Sequence, residues 1–306
     1  MTRTATVLAL LALACCPSAA LAQTGTPPTR AGVVYDVDGS TPVPRRLGTL
    51  DLYRPAPARR ADHRGIVVYV HGGGWRQGDK RAVGAKARLF TRAGYVFASV
   101  NYRLSPSPPA PANTARIRFP DHPRDVAEAV VWLHRHARTF GGDRRRIALI
   151  GHSAGAHLVA LVATDPSYLG RLPGPRPVIS GFVPLDAGAF DVAASIRQSP
   201  AGRRSLFTNA FGTPAEEARD PRWAAASMFT HADPGDPRAL VVNQRRRGGL
   251  AARYAAGLGG APDAQVLLLD KNHTEINRDL GIAGDTSALT PTVLGFVRSV
   301  LGPPRR

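Results

Sequence analysis

The sequence predicts a single α/β domain built on a mostly parallel sheet, and three observations carry that prediction. Short apolar runs of strand character alternate with helix-patterned segments, which is the order a parallel sheet requires. Two of those runs end in glycine-rich turns: residues 65–70 lead into His71-Gly72-Gly73-Gly74-Trp75, and residues 146–150 into Gly151-His152-Ser153-Ala154-Gly155. The chain of 306 residues is also long enough to bury one large core.

The elements follow in order. Residues 23–31 are a Thr/Pro-rich lead-in, and 33–37 and 47–53 read as opening antiparallel strands. A turn region at 55–64 precedes the strand at 65–70, then a helix at 84–93 and a strand at 95–100. Many prolines and little periodicity make 104–122 a surface loop. Val126, Val130, Leu133 and Ala137 are spaced for a helix over 123–140, which Gly141-Gly142 stops. A strand at 146–150 and a helix at 156–163 flank the second glycine turn, and strands follow at 179–185, 239–242 and 265–269 before a final helix at 291–301. Residues 188–238 form a small insertion between the sixth and seventh strands. Its Phe190, Phe207, Phe211, Trp223 and Phe229 either line a pocket or form the ordinary core of a small helical insertion.

The N-terminus reads as a signal peptide over residues 1–22: Arg3 gives a positive start, residues 7–14 an apolar core, and Ala20-Leu21-Ala22 a cleavage site before Gln23. The core is shorter than the ~20 apolar residues that a membrane span needs. Cys15 and Cys16 are the only cysteines, so a chain cut after Ala22 forms no disulfide. Lipoprotein processing at one of them is the alternative, but Ala12-Leu13-Ala14 is a poor approach sequence for it. Removing 22 of the 306 residues leaves 284, one domain over 23–306 in a secreted or periplasmic location. The net charge of +18 is almost entirely arginine, since Lys80, Lys86 and Lys271 are the only lysines. The arginines are scattered without interleaved aromatics, which excludes a nucleic-acid stripe and leaves weak contact with anionic surfaces open.

The chemistry lies in the two glycine turns. Gly-x-Ser-x-Gly between a strand and a helix is a nucleophile elbow, a turn so tight that only glycine fits at Gly151 and Gly155, with Ser153 Oγ exposed above the sheet. A glycine run after a strand frees backbone N–H groups to face a developing negative charge. The amides of Gly72, Gly73 and Ala154 are therefore the expected oxyanion donors. Trp75 and Tyr102, beside that loop, are the expected substrate-binding residues.

Taken together, HGGGW, Asn101-Tyr102-Arg103-Leu104, Gly141-Gly142-Asp143 and GHSAGAHL resemble the α/β-hydrolase superfamily. The nearest branches are the esterases related to hormone-sensitive lipase, the feruloyl-esterase-like carboxylesterases and kynurenine formamidase. The resemblance runs from Leu50-Asp51-Leu52-Tyr53-Arg54-Pro55 to the histidine near the C-terminus. It implies an eight-stranded, mostly parallel sheet with helices on both faces, a serine nucleophile, a histidine base and an acid, with no cofactor and no metal.

A serine needs a base within hydrogen-bond reach. His273 follows the last strand, where the base belongs, and is the only histidine after His231. His152 and His157 flank the serine but are expected to pack away from it, and His71 to orient the glycine loop. The acid departs from the family pattern, which places it shortly after the penultimate strand. Here that strand runs into Asn243-Gln244-Arg245-Arg246-Arg247, with no Asp or Glu between Val241 and Pro262. Asp186, at the end of the preceding strand, is the candidate orienter of His273. Asp191 and Asn243 are alternatives, and Asp270 lies too close in sequence to His273. The expected activity is hydrolysis of small carboxylic esters of short to medium acyl chain. The rival readings are an amide hydrolase of the kynurenine formamidase type and a non-catalytic binding protein on the same scaffold, the latter motivated by the missing acid. Oligomeric state is not legible.

Overall fold

Eight strands form one sheet in the order β1-β2-β4-β3-β5-β6-β7-β8 in a computed structural model that describes residues 26–35, 47–56, 62–170 and 178–303. The expected signal peptide, with Cys15 and Cys16, lies outside the described residues, as do residues 36–37 of the expected first strand. β1 (Arg30–Val34) and β2 (Thr49–Tyr53) are the antiparallel entry; β3 (Arg64–Val70), β4 (Val96–Val100), β5 (Gly142–His152), β6 (Ile179–Leu185), β7 (Arg238–Gln244) and β8 (Ala264–Leu269) run parallel. Strands buried on both faces are continuously apolar, as Ile66 to Val70 and Ile147 to Ile150 are.

Helices cover the two faces. α1 (Lys86–Arg92) joins β3 to β4, α2 (Asp121–His136) joins β4 to β5, and α3 (Ala154–Thr164) leaves β5, followed by the short α4 (Pro166–Leu169). The insertion before β7 holds α5 (Val192–Gln198), α6 (Ala201–Phe211) and α7 (Pro214–Arg219); α8 (Gly248–Gly257), α9 (His273–Asp279) and α10 (Leu289–Leu301) complete the chain. One core packs α2, α3, α8 and the insertion against Ile66, Val68, Val70 and Leu149. The other packs α1, α9 and α10 against Val67, Tyr69, Ala148 and Ile150. The alternation of strand neighbours between the two lists is the period-2 pleat of a sheet covered on both sides.

Several boundaries differ from expectation; the first strand, expected over 33–37, runs from Arg30 to Val34, and the helix expected from residue 123 begins at Asp121. The helix expected over 123–140 ends at His136 and tightens into a 3-10 turn, Ala137–Phe140, closed by Gly141 at φ 78°. The strand expected from residue 146 begins at Gly142, where the pairing with β3 is irregular. α8 and α9 carry little apolar periodicity of their own; packing on the sheet edge and a capping box, respectively, define them.

Candidate active site

All the chemistry gathers at the C-terminal ends of β3, β5, β6, β7 and β8. At the end of β5 the backbone turns sharply at Ser153, whose φ is 56° and ψ −114°. The glycines on either side permit it. A Cβ on Gly151 would lie 2.1 Å from Gly155 O, and one on Gly155 2.1 Å from Val70 O, so the turn nests against its own helix and against β3. The Ser153 amide donates to Leu185 O at 2.9 Å, pinning the turn to β6.

His273 enters as the first residue of α9. Asn272 caps that helix, accepting from the amides of Thr274 and Glu275, while Glu275 returns a bond to the Asn272 amide. This capping box fixes where α9 begins, and so where the imidazole stands. His273 Nε2 lies 2.9 Å from Ser153 Oγ and its Nδ1 lies 2.5 Å from Asp186 Oδ2. Asp186 is the first residue beyond β6, at φ 49°, with its amide bonded to Val242 O at 2.7 Å and no exposed surface. Burial by itself would raise its pKa, but hydrogen bonds from His273 and Gln244 outweigh it and hold the carboxyl below the usual range.

The other acid candidates are engaged elsewhere. Asp191 caps α5, accepting from the Ala194 amide. Asp270 is exposed and paired with Arg245 at 2.8 Å. Asn243 is fully buried and its side-chain amide has no hydrogen-bond partner among the described residues, so it does not hold the imidazole.

Gln244 is the functional residue that sequence reasoning missed. Its main-chain amide lies 3.3 Å from Asp186 Oδ1, and its side-chain amide donates to Asp186 Oδ2. Arg246 Nε donates to Gln244 Oε1 at 2.7 Å, which orients the amide group with its NH2 toward the carboxylate. The only signal was positional: Gln244 stands where the family usually carries its acid.

His152 also lies closer to the chemistry than expected. Its ring packs 4.5 Å from that of His273, and its Nε2 donates to His273 O at 2.9 Å. Burial, then the neighbouring His273, lowers its pKa to about 4, so it stays neutral and keeps a proton for that bond. His157 packs away, donating to Ala226 O at 2.7 Å.

The glycine loop passes directly over the serine: a Cβ on Gly72 would lie 3.1 Å from Ser153 Cβ. Among the described residues, the amides of Gly72 and Gly73 give their hydrogens to no protein oxygen. Ala154 is the first residue of α3, where amides have no intrahelical acceptor. His71 braces the loop from behind, its Nδ1 donating to Gly72 O at 2.8 Å and its ring stacked 4.6 Å from Tyr102.

Tyr102 itself requires a correction. It is fully buried, with its hydroxyl donating to His71 O at 3.2 Å, so it supports the loop from within and offers no surface to a substrate. Trp75 is only 5% exposed. It stands at φ 59° and packs against His157, Phe207 and Phe211, tying the loop to the insertion. Four of the insertion's aromatics thus divide: Phe207 and Phe211 back the loop, whereas Phe190 packs on Phe229 and on Tyr254. Among the described residues, no cluster of His, Cys, Asp or Glu has the arrangement of a metal site.

A doubly covered, mostly parallel sheet, a serine on a strained strand-to-helix turn and a histidine bridging it to a buried carboxylate give the chain an α/β-hydrolase fold with a candidate serine site. Comparison with known proteins agrees. Residues 50–169 match the BD-FAE family. The carboxylic ester hydrolase LipN of Mycobacterium tuberculosis is 33% identical over 239 residues, which is 76% of this chain and 57% of LipN. Esterase LipC of the same organism is 36% identical over 124 residues, 39% of this chain and 27% of LipC. The chain therefore spans less than two thirds of these relatives. Among solved structures, Est2 of Thermogutta terrifontis superposes with a TM-score of 0.62 at 20% identity, over 90% of this chain and 96% of Est2. A truncated carbohydrate esterase from gut microbiota gives 0.65 at 16% identity, over 88% and 94%. The chain thus has the α/β-hydrolase fold and, over part of its length, is similar to serine esterases.

Proposed function

We propose that the protein hydrolyses carboxylic esters of small molecules through an acyl-enzyme on Ser153. The observation that carries this reading is the continuous hydrogen-bonded line from Ser153 Oγ through His273 to the Asp186 carboxylate. Ser153 Oγ attacks the ester carbonyl while His273 Nε2 takes its proton, and Asp186 stabilises the imidazolium that results. The amides of Gly72, Gly73 and Ala154 receive the negative charge of the tetrahedral intermediate. Collapse expels the alcohol, protonated by His273. Water, deprotonated by the same imidazole, then releases the acid and restores the serine.

The buried aromatic backing of the loop by Trp75, Phe207 and Phe211, and the small size of the insertion, favour short to medium acyl groups. The leader-like residues 1–22 support export and action outside the cytoplasm, with cleavage before Gln23. N-terminal sequencing of the exported protein checks that boundary. The carboxylate at His273 Nδ1 supports a catalytic site over a non-catalytic scaffold.

The test is fluorophosphonate labelling with p-nitrophenyl butyrate hydrolysis, beside Ser153→Ala. Labelling and turnover that vanish together in the variant support the reading. A folded parent that neither labels nor turns over the ester sinks it.

A further inference from the structure

Three consecutive arginines follow β7 at the edge of the site, and they have separate fates. Arg245 is neutralised on the surface by Asp270, at 2.8 and 3.0 Å. Arg246 spends its Nε on Gln244. Arg247 turns inward and is half-buried, with Nη1 donating to Ala187 O at 3.2 Å and lying 3.5 Å from the position of a Cβ on Gly188. It is thus seated on the two residues that directly follow Asp186.

A fourth arginine, in the insertion, lies within electrostatic reach of it. Arg203 is exposed on α6, three residues before Leu206, and positions three apart share a helix face. Leu206 Cδ1 lies 3.8 Å from the position of a Cβ on Gly74, so this face of α6 overhangs the glycine loop. Burial, opposed by Asp186 and reinforced by the charges of Arg203 and Arg246, depresses the Arg247 pKa. The Arg247 guanidinium therefore lies within electrostatic range of those of Arg203 and Arg246 and of the triad carboxylate.

Among the described residues, none of Arg203, Arg246 and Arg247 makes an ion pair with a carboxylate. Elsewhere the buried arginines are matched: Arg103 with Asp125 at 2.7 Å, Arg116 with Glu216 at 2.8 Å. Asp186, the carboxylate in range, has no exposed surface and is committed to His273 and Gln244. Unmatched like charges gathered beside one site raise the local concentration of anions and repel one another until an anion enters. The planar guanidinium fork matches a carboxylate in particular.

We propose that Arg203 and Arg247, with Arg246 behind them, form a cationic subsite at the mouth of the active site that selects esters bearing a second, free carboxylate. This deepens the ester-hydrolase reading and rests on it.

The experiment compares monoethyl adipate with ethyl hexanoate, which share a six-carbon acyl chain and differ in the terminal carboxylate. Ethanol release gives kcat/KM for each in the full chain and in Arg203→Gln, Arg247→Gln and Arg203→Glu. The expected result is a preference for the hemiester on the order of tenfold at low salt, shrinking as ionic strength rises. Arg203→Gln and Arg247→Gln reduce that ratio, and Arg203→Glu reduces it further. Each protein is its own control, because the neutral ester reads the same serine. Should Arg247→Gln fold poorly, exposed Arg203 and the salt series on the unaltered chain carry the test. Turnover of ethyl hexanoate without a preference for the hemiester, or a preference indifferent to salt and to Arg203→Glu, overturns the subsite alone. Turnover of neither ester overturns the parent reading with it.

Discussion

Gln244 binds the carboxylate of Asp186 twice, through its main-chain amide to Oδ1 at 3.3 Å and through its side-chain amide to Oδ2. The strand end that usually supplies the acid here supplies the acid's partner instead. Gln244→Ala removes one donor from a buried charged acceptor, worth about 1.5–3 kcal/mol, so kcat falls roughly tenfold or more. Gln244→Glu places a second carboxylate against Asp186. Two such groups cannot both ionise, so the acid limb of the kcat/KM profile moves to higher pH. A pH profile unchanged in Gln244→Glu contradicts this arrangement. Asp186→Asn, which leaves His273 without a charge at Nδ1, lowers kcat on the order of 10⁴.

Gly73 has a φ of 114°, and a Cβ there would lie 2.0 Å from Gln77 O. Gly73→Ala therefore shifts the loop that holds the oxyanion donors. Removal of one such donor costs about 10²–10³ in kcat. Single-turnover acylation with a p-nitrophenyl ester should slow on that scale while circular dichroism stays native.

His152 holds the main chain of His273 through its carbonyl and packs beside its ring. His152→Phe keeps the packing and loses the bond. The expected outcome is a fall in kcat of roughly two- to tenfold with KM little changed, since a neutral hydrogen bond is worth about 0.5–1.5 kcal/mol. A rise in KM alone would place His152 in substrate binding instead.

Lys86 is 1% exposed, its Nζ donating to Asn277 O at 2.6 Å and lying 5.1 Å from the Tyr69 ring centroid, and among the described residues it is paired with no carboxylate. Burial lowers its pKa from 10.5 to about 7. Between those values the unfolded chain binds a proton that the folded chain does not, so this residue makes stability rise with pH. Lys86→Met removes the slope. Its stability relative to the parent is greatest below about pH 7 and declines as pH approaches 10.5. Denaturant midpoints across that range measure the difference, and a constant difference would refute it.

The legible parts of the fold are those written in local pattern. Continuous apolar runs marked β3 and β5, because a strand covered on both faces has no polar side to show. The four-residue spacing from Val126 to Val130 marked α2. α8 and α9 were not legible: Gly248-Gly249 and His273-Thr274-Glu275 lack a strong apolar stripe, and contact with the sheet or a cap decides them.

By itself, the sequence determined the strand–turn–helix around Ser153 and the glycine loop at Gly72 and Gly73. Steric exclusion at Gly151 and Gly155 is a local property that residue identity alone reports. It also put His273 after the last strand and offered Asp186 as one acid among several. Only the tertiary structure decided between Asp186, Asp191 and Asn243, buried Tyr102 behind His71, and turned Gln244, Arg246 and Arg247 toward the site. Residues 58, 87 and 120 positions apart in the chain meet there. The register of parallel strands brings such residues together, and that register is set by packing on both faces rather than by any one strand's own residues.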